Sequence, residues 1–178
     1  MDKDIIKEIK QIIQASDLLL YIDLNLSDDL LIQEFQDTVD WSCVSRYQKL
    51  SEQFIEKFQD KVDWGDICTY QKLSEDFIEK FKDKINWKYI SIHQTLSENF
   101  IEKFQDIVDW WWISQIQKTS ESFIEKFKDK INWEHISIHQ TLSEEFILKH
   151  WHKLVHNLII QSQKSLTPAF LYWLYRTY

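Results

Sequence analysis

The chain has 178 residues, a formal net charge of −8 and nine tryptophans, yet one glycine (Gly65) and one proline (Pro168), where average usage gives roughly twelve and nine. So few glycines exclude the tight hairpins of a many-stranded β fold and the phosphate-cradling loops of Rossmann and P-loop proteins. An acidic body also disfavours nucleic acid as a direct ligand, because phosphate binding relies on Lys and Arg, so an all-α protein with short polar connections is expected.

Residues 1–26 keep Ile5, Ile9 and Ile12 at helical spacing but carry Leu18 where later segments carry a tryptophan. They read as an N-terminal capping repeat. The charged start, MDKDIIKEIK, has no signal-peptide pattern. From residue 27 a unit of 23 residues recurs, with Trp41, Trp64, Trp87, Trp110 and Trp133 at one fixed spacing. Five regular repeats fill residues 27–141. Repeats 73–95 and 119–141 differ at four of 23 positions, which points to duplication of a two-repeat block.

Each repeat predicts two helices. In LSEQFIEKFQ, Ser51 caps a helix of about ten residues. Leu50 staples onto Ile55, and Phe54, Ile55 and Phe58 share one face. The link QDKVD or KDKIN tucks Val62 or Ile85 into the core. Asp63, or Asn86 and Asn132 in other repeats, then caps a helix of about seven residues with Trp64, Ile67 and Gln71 on one face. Such helices span only ~15 and ~10 Å and must stack on their neighbours to bury a core. The expected fold is an α-solenoid of stacked short helical hairpins, 23 residues per repeat, forming a single domain over 1–178.

Residues 142–178 read as a degenerate repeat and a C-terminal cap. His150 replaces the second Phe, and His156 replaces the Trp. Pro168 follows Thr167 in a first-turn position before AFLYWLYRTY, an amphipathic capping helix that could also dock on a second subunit. No apolar run reaches the ~18 residues of a membrane span, so no membrane partner is expected. Cys43 and Cys68 make no disulfide framework, which suits a reduced, cytoplasmic setting.

The motif LSE-x-FIEKF-x-DKV-x-W-x-x-IS, over about residues 27–147, resembles the tandem short helical repeats of proteins encoded by giant DNA viruses, with relatives in phages and bacteria. The resemblance implies a helical solenoid, and for a viral protein the host cytoplasm. It implies no common activity.

The repeat also sorts candidate sites. A residue type at one position of every unit builds the unit, whereas a departure is a candidate for function. Ser51, Ser74, Ser97, Ser120 and Ser143 are therefore caps and not nucleophiles. The Glu and Lys of FIEKF form a solvated face. His135 with His139, and His152 with His156, have the i, i+4 spacing of a metal pair, and His150 would join the second. All but His152 replace aromatics or fall in aromatic positions, and no third ligand is defined, so no metal, cofactor or catalytic set is expected.

The clearest departure is FIEKFQDIVDWWWISQIQK. Trp111 takes a position held by Gly65, Lys88 and Glu134, and Trp112 one held by Asp66, Tyr89 and His135. Ile107 replaces a lysine, and Ile116 stands where Tyr or His does. Trp111, Trp112, Ile107 and Ile116 are the expected partner-binding residues, unless they serve local packing. The expected function is a non-catalytic protein–protein interaction scaffold, with a homodimer through this repeat or the C-terminal helix as one form. The alternative is an acidic inhibitor that mimics nucleic acid and blocks a host nuclease or a nucleic-acid-binding defence protein.

Overall fold

The computed structural model describes residues 40–163 and 166–177. The capping repeat expected at 1–26, and residues 27–39 of the first regular repeat, lie outside the described residues. The chain divides into two compact units, Met1–Ile85 and Asn86–Tyr178. The described residues form twelve α-helices and no strand. In the first unit these are α1 (Trp41–Tyr47), α2 (Glu52–Lys57), α3 (Trp64–Tyr70) and α4 (Glu75–Lys80). In the second they are α5 (Trp87–His93), α6 (Glu98–Lys103), α7 (Trp110–Ile116), α8 (Glu121–Lys126), α9 (Trp133–His139), α10 (Glu144–His150), α11 (His156–Ser162) and α12 (Pro168–Thr177). Two kinds alternate: Trp-helices (α1, α3, α5, α7, α9, with α11 in the same place) and Glu-helices (α2, α4, α6, α8, α10).

Both cap types form as the sequence requires. The hydroxyl oxygens of Ser51, Ser74, Ser97, Ser120 and Ser143 each accept from the backbone N–H of the Phe three residues on. The carboxylates or amide oxygens of Asp40, Asp63, Asn86, Asp109 and Asn132 do the same for the Trp-helices. Every such cap residue is extended, and no described residue has positive φ. That is how the chain turns without glycine. Gly65 itself lies inside α3.

The Glu-helices are shorter than expected, at six residues, or seven in α10. Phe58 ends α2 by leaving the helical region, at φ −109° and ψ 27°. A turn follows, closed by Lys61 N–H and Val62 N–H donating to the Phe58 carbonyl at 2.8 and 3.1 Å. Ending there buries Val62, and Ile85 and Val108 in the same place. It also frees a carbonyl for the indole. Trp64 Nε1 donates to Gln59 O at 2.9 Å, Trp110 to Gln105 O at 2.8 Å, and Trp133 to Lys128 O at 3.0 Å.

Each helix from α2 to α11 contributes one fully buried isoleucine. Each is worth about 1.5–3 kcal/mol of burial. Consecutive Trp-helices pack side by side, α1 on α3 in the first unit, and α5, α7, α9 and α11 in order in the second. Trp41, Trp64, Trp87 and Trp110 each also meet two phenylalanines of the next Glu-helix, and Trp133 meets His150 in the place of one. Trp64 lies 6.4 and 5.1 Å from Phe77 and Phe81, and Trp110 lies 6.1 and 5.0 Å from Phe123 and Phe127.

Polar groups join the repeats as well. Gln71, buried, donates to Ser45 O and Gln48 O of the preceding repeat and accepts from Leu50 N–H. Gln117, Gln140 and Gln163 repeat this in the second unit. Helix-end carbonyls with no partner in their own helix are thus satisfied from the next repeat. Ser45, Ser114 and Ser137 hydroxyls accept from the amides of Asp63, Asn132 and Val155. Glu52 accepts from Ser74, Glu98 from Ser120, Glu121 from Ser143 and Glu144 from Thr167.

At the C-terminal end, Thr167 Oγ1 accepts from Phe170 N–H and Pro168 opens α12. Leu166, Phe170 and Leu174 close the core of the second unit. Among the described residues no helix is long and apolar enough to cross a membrane.

Candidate protein-binding face

The second and seventh residues of α5, α7 and α9 are exposed at equivalent places, and their third residues are exposed or half-buried. In α5, α7 and α9 the second residues are Lys88, Trp111 and Glu134. The third are Tyr89, Trp112 and His135, and the seventh are His93, Ile116 and His139. The framework does not dictate these identities, because α1 and α3 carry Ser42 and Gly65, Cys43 and Asp66, Tyr47 and Tyr70 at the same places.

Trp111 is 44% exposed. Its ring lies 4.3 Å from Trp112 at 78° and 4.2 Å from His135 at 68°, both edge-to-face. His135 in turn stacks on His139 at 5.8 Å. Edge-to-face contacts align the positive rim of one ring with the negative face of another. Asp109 Oδ1 accepts from the Trp111 and Trp112 amides at 3.1 and 3.4 Å, which anchors the first turn of α7. Burial, and secondarily the His139 charge, hold the His135 imidazole below its ordinary pKa. Its Nδ1 is buried with no hydrogen-bond partner. The shift favours the neutral form of the His135 ring that meets Trp111.

The structure joins Trp111 and Trp112 and places Ile116, 46% exposed, at the far end of the same helix. It does not bring Ile107 into that set. Ile107 is exposed in the turn before α7, in the position where Lys130 reaches Asp106 at 2.9 Å and lies over Trp110. Tyr89, His135 and His139 belong to the face and were not among the expected binding residues. The signal was available, because Tyr89 and His135 share the Trp112 position of their own repeats.

The histidines of the last repeat do other work. His150 is buried between Phe146 and Trp133, with ring centroids at 4.5 and 5.1 Å. Its Nε2 lies 2.6 Å from Glu125 Oε2. Lys149 and His150 together hold the Glu125 carboxyl at about 2. His156 stacks on Trp151 at 3.8 Å, and its Nε2 is 2.7 Å from Trp151 O, the place of an indole N–H in the other repeats. Among the described residues no three His, Cys, Asp or Glu side chains are grouped to hold a metal ion. Cys43 and Cys68 are not joined in a disulfide. Burial and Asp40 push the Cys43 thiol up, the reverse of an activated thiolate.

Compared with protein-family models, curated proteins and solved structures, the chain matches none.

Proposed function

We propose that the chain is a non-catalytic scaffold that holds a partner protein against the α5–α7–α9 face, with Trp111 and Trp112 as its anchors. One observation carries this reading: a ring as large as that of Trp111 stands 44% exposed in a position the repeat fills equally well with Ser, Gly, Lys or Glu. Its neighbours fix its orientation, so little side-chain freedom is left to lose on binding. Exposed tryptophan in an apolar patch is the usual centre of a binding hot spot. The setting inferred with it, from the likeness to giant-virus repeats, is the cytoplasm of an infected cell.

The acidic-inhibitor reading has less behind it. Glu56, Glu102 and Glu125 pair with Lys80, Lys126 and Lys149 of the next repeats, and Asp60 and Asp106 pair with Lys84 and Lys130. These carboxylates alternate with ammonium groups and do not line up as a phosphate backbone would.

The test is affinity capture from the source cells with wild type and Trp111→Glu, both checked for helical content. A specific partner captured by wild type and lost with Trp111→Glu is the expected result. An identical set of captured proteins, or none with wild type, overturns the reading.

A further inference from the structure

Resting on the reading that this face binds protein, we propose that its occupant is a second copy of the chain, in a two-fold dimer whose axis runs along α7. The reasoning begins with charge. Each copy carries −8, so most approaches between two copies are repulsive. The α5–α7–α9 face is different. Its second positions read Lys88, Trp111, Glu134, a basic, a neutral and an acidic residue on three helices packed in that order.

A two-fold axis along α7 turns this face onto itself and preserves helix direction. It lays α5 of one copy over α9 of the other. Lys88 of each copy then meets Glu134 of the other, and Trp111 meets its own counterpart at the axis. An axis running across the helices would instead lay α5 on α5 and α9 on α9, and the Lys–Glu pairing would be lost. Isologous interfaces require this self-complementarity, in which residue i meets j and j meets i.

Lys88 and Glu134 are also spare. Lys80, Lys126 and Lys149 are each engaged by a carboxylate of the preceding repeat. Lys88 and Glu134 are exposed and take part in no ion pair with another described residue.

Sedimentation equilibrium on the full chain tests the proposal, with circular dichroism as the folding control. Wild type is expected to dimerise. Lys88→Glu and Glu134→Lys, each creating two like-charge contacts, should each weaken the dimer by about tenfold or more. The double variant Lys88→Glu/Glu134→Lys should return to within about threefold of wild type, because the pairs are re-formed with their signs exchanged. Trp111→Glu should be monomeric. A wild type that stays monomeric at about 100 µM, or a double variant whose losses simply add, overturns the dimer. If such a monomer still captures a partner that Trp111→Glu loses, the scaffold reading stands and only the second-copy occupant is refuted.

Discussion

In the first unit, the third position of α3 carries Asp66; in the second, the same position of α7 carries Trp112. Asp66 is buried and closed upon its own unit. It accepts from Arg46 Nε and a terminal guanidinium nitrogen at 3.1 and 2.9 Å, and from Ser42 Oγ at 2.9 Å. Arg46 in turn lies over the Tyr47 and Tyr70 rings. Trp112 meets the ring of Trp111 on its own helix, and Trp111, which reaches His135 of the next Trp-helix edge-to-face, is left partly open to solvent. One backbone framework therefore carries two lateral joints. The ionic one satisfies itself within the chain. The aromatic one leaves apolar surface that only another molecule can cover.

If the framework is truly common, its buried glutamines must matter equally in both units. Gln71→Leu leaves Ser45 O, Gln48 O and Leu50 N–H without their partner, and Gln117→Leu does the same to Ser91 O, Gln94 O and Leu96 N–H. A buried polar group left unsatisfied costs about 1–3 kcal/mol. Each substitution should therefore lower stability by about 3 kcal/mol or more in urea titration. Values for the two that differ by more than about 1 kcal/mol would break the idea of a shared framework.

The joints themselves separate by salt. Asp66→Ala should cost about 1–2 kcal/mol, tempered because the Arg46 side chain is 42% exposed. Trp112→Ala should cost about 1 kcal/mol, because its ring is only half-buried. The Asp66→Ala penalty should shrink at 1 M NaCl, where the Debye length is about 3 Å. The Trp112→Ala penalty should not. Equal salt dependence would mean that the two joints are not of different kinds.

A third comparison sets the last repeat of the second unit against the others. Its His150 stands where Phe81 or Phe127 stands elsewhere and, with Lys149, stabilises the Glu125 carboxylate. Because the folded-state pKa of Glu125, about 2, lies below its ordinary 4.5, the stabilisation is complete above pH 4.5. It is lost as the pH falls through the folded value. Stability measured between pH 5 and pH 2 should fall less steeply in Glu125→Gln than in wild type.

The sequence made the repeat, the caps and the isoleucine core legible, because a residue type that recurs at one position in every unit announces a structural duty. Gln71 was placed on the correct face but was read with the apolar residues. Periodicity locates a buried position without telling whether its neighbours are methyl groups or unsatisfied carbonyls. The Glu-helix length was overestimated for a related reason. Phe58 continues the helical pattern in sequence, and only packing of Val62 and the indole bond to Gln59 O end the helix there. On the face, Trp111 and Trp112 were visible as departures from the repeat. Tyr89 and His135 hold the position that Trp112 marks, but these residues and His139 are each ordinary within their own repeats and gain meaning only beside their neighbours in space.

The smallest effect is also the strictest control on the comparison. Glu56 pairs with Lys80 in the first unit as Glu102 pairs with Lys126 in the second, each pair roughly half exposed. Glu56→Gln and Glu102→Gln should each cost about 0.2–1 kcal/mol, the range of solvent-exposed pairs, and the two costs should agree. Neither should alter dimer dissociation, because the Glu-helix side takes no part in the proposed interface. If Glu102→Gln weakens the dimer as much as Lys88→Glu does, charge acts on association through the whole surface. The Lys88–Glu134 pairing would then lose its special place.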